Sequence, residues 1–230
     1  MDDNLKGNEP LKEDAVVWVE KAFSLNQLGR YEEAIECYNK ALSLDSEDDG
    51  AWNGKGFSLN QLGRYEEAIE CFNKALSLDS EDDGAWNGKA VSLNQLGRYE
   101  EAIECFNKAL EIDPKNTLYW VNKAISLNQL GRYEEAIECY NKALSLDSED
   151  DGAWGNKAVL LNQLGRYEEA IECFNKALEI DPKSAAVWVN KAILLNQLGH
   201  YEEAIEYFNK ALSLDSEDDV AWGNKALALS

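Results

Sequence analysis

The chain has 230 residues, 45% of them apolar and 10% aromatic, and its 44 acidic against 22 basic side chains leave a formal charge of −22. Such a balance argues against nucleic acid as a partner, because its binding rests on Lys and Arg neutralising phosphates, and against an anionic membrane surface for the same reason. No stretch approaches the roughly 20 continuous apolar residues of a membrane span, and the start lacks the basic-then-apolar order of a secretion signal, so a soluble, cytoplasmic protein is expected.

Residues 1–14 read as an irregular N-terminal tail. From there Trp18, Trp52, Trp86, Trp120, Trp154, Trp188 and Trp222 recur every 34 residues (52 − 18 = 34), the period of a solenoid. Trp18, Ala22, Leu25 and Leu28 fall at helical intervals ahead of Gly29, which suits the left-handed turn that ends a helix. The next run, Tyr31, Ala34, Ile35, Tyr38, Ala41 and Leu42, draws one apolar stripe, with Glu32 and Glu33 at the positive end of the helix dipole. Each period is therefore a helical hairpin, and copies must stack to bury the face that one hairpin leaves wet.

The thirteen residues LNQLGRYEEAIEC begin at Leu25, Leu59, Leu93, Leu127 and Leu161, and the copy at Leu195 differs only at His200 and Tyr207. Counting gives six repeats (15–48, 49–82, 83–116, 117–150, 151–184 and 185–218) and, at 219–230, the first helix of a seventh, capping or truncated. Cys37, Cys71, Cys105, Cys139 and Cys173 share one slot and read as small buried side chains, since helices about 8 to 10 Å apart put them beyond disulfide reach.

The period of 34, the Trp, the Gly-x-Tyr turn and the Ala34-to-Tyr38 spacing resemble the tetratricopeptide repeat over about residues 15–230. The Leu-Gly pair usual after the Trp is replaced by Lys21-Ala22, Lys55-Gly56 or Lys89-Ala90, and the Pro near the end of the second helix survives only as Pro114 and Pro182. Such a lysine can lie along apolar surface with its ammonium in water or on a neighbouring glutamate. The resemblance implies an all-α, right-handed superhelical α-solenoid whose first helices line a concave groove for an extended segment of a protein partner.

On that reading the slots after each Trp carry recognition. Asn122, Asn156, Asn190 and Asn224, two residues after the Trp, form a row whose amides suit an extended peptide backbone, similar to the asparagine ladder of the O-linked N-acetylglucosamine transferases; the alternative is hydrogen bonding to neighbouring helices or water. Asn53 and Asn87, one after the Trp, join this groove. Asn94, Asn128 and Asn162, at the ends of first helices, read either as groove contacts or as helix terminators. Phe23, Phe57, Val91, Ile125, Val159, Ile193 and Leu227, five after the Trp, offer apolar pockets. Because the slots one, two and five after the Trp hold no Lys or Arg, a clamp for a C-terminal carboxylate is not expected.

Asp-Ser-Glu-Asp-Asp recurs at 45–49, 79–83, 147–151 and 215–219. It resembles the opening of a calcium loop, but the twelfth position is Gly56, Ala90, Ala158 or Ala226 where a bidentate Glu is needed, so no metal is assigned and the loops read as helix caps (Asp48, Asp49) and solubilising edge. The single His, His200, lies in an exposed turn without a nucleophile beside it; neither catalysis nor a cofactor is expected. A second reading is a homo-oligomer that packs end to end through Leu227 and Leu229 of the last helix.

Overall fold

In the computed structural model, residues 9–229 are described, with side chains from Asp14 onward. The described residues contain helices and turns and no strand: α1 (Glu9–Gln27), α2 (Tyr31–Leu44), α3 (Asp49–Gln61), α4 (Tyr65–Leu78), α5 (Asp83–Gln95), α6 (Tyr99–Ile112), α7 (Thr117–Gln129), α8 (Tyr133–Leu146), α9 (Asp151–Gln163), α10 (Tyr167–Ile180), α11 (Ala185–Gln197), α12 (Tyr201–Leu214) and α13 (Asp219–Ala228). They form two compact units, 1–126 and 127–230, divided within α7. Of the tail assigned to 1–14, residues 1–8 lie outside the described part, and α1 already begins at Glu9.

One local grammar makes each hairpin. Gly29, Gly63, Gly97, Gly131, Gly165 and Gly199 all take positive φ, from 71° to 81°, and end the first helix. The N–H of the next residue returns to the carbonyl five residues back, as in Arg30 N to Leu25 O at 2.9 Å, so the helix end is satisfied without a side chain. Arg30 opens α2 and forks onto Glu33, Nε to Oε1 at 2.6 Å, a pair that water screens and that contributes little.

The acidic loops are compact turns. Asp45 Oδ1 accepts from Glu47 N at 3.1 Å, Asp48 Oδ1 caps α3 by accepting from Ala51 N at 2.8 Å, and the Trp52 indole donates to Ser46 O at 3.0 Å. Asp48 is thus the cap, while Asp49 is the first helical residue. The same indole bond pins the loops that carry Pro114 and Pro182.

Within each unit, successive hairpins stack through small residues and one aromatic. In the first unit Ala22, Ala34, Ala51 and Ala68 are wholly buried and let the axes approach, while Tyr38, Phe72 and Phe106 fill the remaining space. Phe174 and Phe208 do so in the second unit. Each such ring stabilises by about 1.5 to 3 kcal/mol on burial. All five cysteines are buried, and burial pushes the thiols of Cys71, Cys105 and Cys173 above the ordinary range.

The lysine three residues after the Trp stays half-exposed, as expected, and its charge acts on Glu67, Glu101 and Glu169 of the paired second helix. What the sequence did not show is that Lys55, Lys89 and Lys157 place Nζ 5.2, 5.4 and 5.0 Å from the ring centres of Trp52, Trp86 and Trp154. The negative face of an indole one helical turn away holds the cation while its methylenes pack.

Candidate functional site

In the first unit, the side chains one, two and five residues after the Trp on α1 and α3 border an apolar cleft of about 910 Å³, walled by Val19, Phe23, Asn53, Gly54 and Phe57. Phe23 is 58% and Phe57 46% exposed, although aromatic rings dominate core burial elsewhere in the chain. Phe57 is steadied edge-on by Tyr31, ring centres 6.4 Å apart. Among the described residues, Glu20 is the only charged side chain on the wall.

The floor is a polar network. Tyr38, 2% exposed, receives a hydrogen bond from Asn26 Nδ2 at 3.4 Å, and Asn26 Oδ1 accepts from Ser58 Oγ at 2.8 Å. Burial holds the Tyr38 phenol above its ordinary value, partly offset by the Asn26 bond. A Cβ at Gly54 would run into the Tyr38 ring, and one at Gly88 into Phe72. At these two positions an aromatic of the preceding second helix sits where a Cβ would go, whereas Asn122, Asn156 and Asn190 share the slot with Phe106, Tyr140 and Phe174 in the later repeats.

The asparagines singled out from the sequence are drawn into several different arrangements. Asn53 Nδ2 donates to Asp82 Oδ2 at 2.8 Å, and Asn122 Nδ2 donates to Asn87 Oδ1 at 3.3 Å, so these three amides are oriented along the first unit. Asn94 Oδ1 accepts from Ser126 Oγ at 2.9 Å, the relation that also joins Asn26 to Ser58. Asn122 belongs to the first unit; Asn128, Asn156, Asn162, Asn190 and Asn224 belong to the second. There Asn156 is exposed, Asn128, Asn162 and Asn190 are half-buried, and Asn224 bonds its own helix at Val220 O, 2.8 Å away. Val189, one residue after Trp188, is buried rather than open to a ligand.

Two features of this site were absent from the sequence reading. One is the buried serine row Ser58, Ser92 and Ser126, all wholly inaccessible, for which the signal was a polar residue on the buried side of a first helix every 34 residues. The other is the pairing of Asn53 with the α5 cap Asp82, for which no local signal exists. Trp222 and Leu227 of α13 and Leu229, which follows it, are 51%, 68% and 66% exposed.

The family model described as the cilia and flagella-associated protein 70 C-terminal domain matches residues 60–221, and a TPR repeat model matches residues 24–63. Among solved structures, YrrB, described as a TPR protein with an unusual peptide-binding site, is 25% identical, with a TM-score of 0.69 over 84% of this chain and 99% of its own. PilF of Pseudomonas aeruginosa is 20% identical, with a TM-score of 0.81 over 95% of this chain and all of its own (100%), and a tetratricopeptide repeat protein of Parabacteroides merdae is 22% identical, with a TM-score of 0.66 over 94% and 84%. No curated protein matches the sequence. No described helix is long and apolar enough to cross a membrane. Hairpin after hairpin of one grammar, and the match of that C-terminal domain to more than half its length, make the chain a member of the tetratricopeptide repeat family, a fold that generally serves protein interaction without catalysis.

Proposed function

We propose that the first unit binds an extended peptide in the cleft between α1 and α3. The observation that carries this reading is the pair Phe23 and Phe57, rings held open to solvent on equivalent slots around a 910 Å³ cleft. Pockets of that size, apolar with a few fixed polar groups, suit a ligand's side chains, while the Asn53, Asn87 and Asn122 amides offer donors and acceptors to its backbone. With Glu20 as the only charge among the described residues of the wall, the partner is an apolar or basic segment. The presence of a peptide-binding site in YrrB supports the reading. For the second unit taken by itself, Asn156, Asn190 and Asn224 are proposed to contact a peptide backbone.

The test is to pan a random-peptide display library against the parent and against a Phe23→Ala, Phe57→Ala variant, both verified as helical and cooperative in unfolding. Peptides selected on the parent are expected to lose at least about tenfold in affinity for the variant, a loss of about 1.4 kcal/mol. Equal binding to both proteins would refute the assignment.

A second reading, end-to-end association through α13, is favoured by the exposure of Trp222 and Leu227 on that helix and of Leu229 at its C-cap. It predicts that mass rises with concentration in sedimentation equilibrium and that Leu227→Lys with Leu229→Lys returns the protein to a monomer.

A further inference from the structure

The first helices carry another face, about half a turn from the peptide cleft, where the Trp, the Lys three residues on and the Leu seven residues on line up. In the hairpins α3–α4, α5–α6 and α9–α10 this face and the second helix enclose open clefts of about 620, 470 and 420 Å³. Each has the indole on one wall, the lysine ammonium above it, and the buried thiol of Cys71, Cys105 or Cys173 at its base. No residue lining them borders the peptide cleft described above.

Hairpin α11–α12 has the same slots with one exchange, Tyr207 in place of the cysteine. The Tyr207 ring lies against Trp188, centres 5.3 Å apart and planes tilted by 34°. Lys191 Nζ stands 4.2 Å from the centre of the Tyr207 ring and donates to its hydroxyl oxygen at 3.1 Å and to Asn175 Oδ1 at 2.7 Å. With the ring in place Lys191 is only 6% exposed, whereas Lys55, Lys89 and Lys157 are half-exposed. In this copy the chain fills its own cleft with a phenol, and wall, cation and hydroxyl all find partners.

We propose that the clefts beside Trp52, Trp86 and Trp154 take the tyrosine side chain of another polypeptide, seated as Tyr207 is seated from within: ring against the indole, hydroxyl oxygen accepting from the lysine ammonium. The walls are already formed, and the lysine, which lies over the indole in the open clefts, shifts onto the incoming ring as Lys191 lies over Tyr207. The clefts are larger than one ring needs, which leaves room for the residues flanking the tyrosine. This site is independent of the peptide cleft and stands or falls apart from it.

The experiment titrates the full chain with N-acetyl-tyrosinamide and N-acetyl-phenylalaninamide while following assigned indole N–H resonances. Saturable shifts are expected at Trp52, Trp86 and Trp154, about three- to tenfold weaker with the phenylalanine amide, which lacks the hydroxyl acceptor. Cys71→Tyr, Cys105→Tyr and Cys173→Tyr together should fill the clefts and abolish the response at those three indoles. Tyr207→Cys should open a cleft and create a saturable response at Trp188. Shifts that survive the triple substitution, or a folded Tyr207→Cys protein without a new response at Trp188, overturn the proposal; the second arm decides even if the triple variant does not fold.

Discussion

Ser58 Oγ donates to Asn26 Oδ1 at 2.8 Å across the joint between the first two hairpins, and Ser126 does the same to Asn94, 32 residues earlier in both cases. In the second unit the equivalent serines are replaced by Leu160, Leu194 and Ala228, and Asn196 Oδ1 is buried without a hydrogen-bond partner. Ser58→Ala should therefore cost about 1 to 3 kcal/mol, since it strands a half-buried acceptor, while Ala228→Ser should regain about 1 kcal/mol by supplying Asn196 with a donor. Urea unfolding of the two variants against the parent measures both signs.

Glycines one and two residues after the Trp should answer in opposite directions. Gly54→Ala drives a methyl group into the buried Tyr38 ring and should destabilise by about 1 to 3 kcal/mol despite the better helix propensity of alanine. Gly223→Ala meets no atom within 4 Å and should stabilise by up to about 1 kcal/mol. Thermal melts followed by helix signal separate the two.

Asp82 uses both carboxylate oxygens: Oδ1 accepts from Ala85 N at 2.8 Å as the α5 cap and Oδ2 accepts from Asn53 at 2.8 Å. Asp48 makes the cap bond at 2.8 Å. Asp48→Ala is expected to cost about 1 kcal/mol, the ordinary loss of a cap, and Asp82→Ala about 1 kcal/mol more. A double-mutant cycle of Asp82→Ala with Asn53→Ala should return that surplus as coupling energy.

Alkali should destabilise the protein in two stages. Burial raises the thiols of Cys71, Cys105 and Cys173 above 9.0 and the phenols of Tyr38, Tyr119 and Tyr140 above 10.0, with the Asp83 bond adding to burial at Tyr119. Because the folded state holds these protons more tightly than the unfolded state, the stabilisation is complete below the unfolded values and declines as pH rises past 9.0, then more steeply past 10.0. Melting temperature against pH tests this, and changing the three cysteines to alanine should flatten the first stage alone.

Much of the hairpin was legible. The Trp18 series, Gly29 and its five counterparts, and the Asp48 cap are decided by neighbours within a turn or two of chain, where a period of 3.6 and the need to satisfy helix ends leave few alternatives. The acidic loops were read as caps, and Asp48 is one. The site was read less completely. Phe23 and Phe57 were placed in the groove slots, but the row at Asn122, Asn156, Asn190 and Asn224 gave no sign that Asn122 leans on Asn87 while Asn224 turns back to its own helix. Nor did it show that Gly54 and Gly88, in the same slot of earlier repeats, lie against Tyr38 and Phe72.

By itself the sequence determined the helices, their ends, their pairing into hairpins and the family, because each rests on interactions between residues close along the chain. Tertiary structure alone decided that the lysines cover the indoles, that buried serines tie one hairpin to the next, and that Tyr207 occupies a cleft that cysteine leaves open in three other hairpins. Those outcomes turn on which side chains face each other between stacked helices, a matter of ångström-scale packing in a dense interior that no periodicity along one chain records.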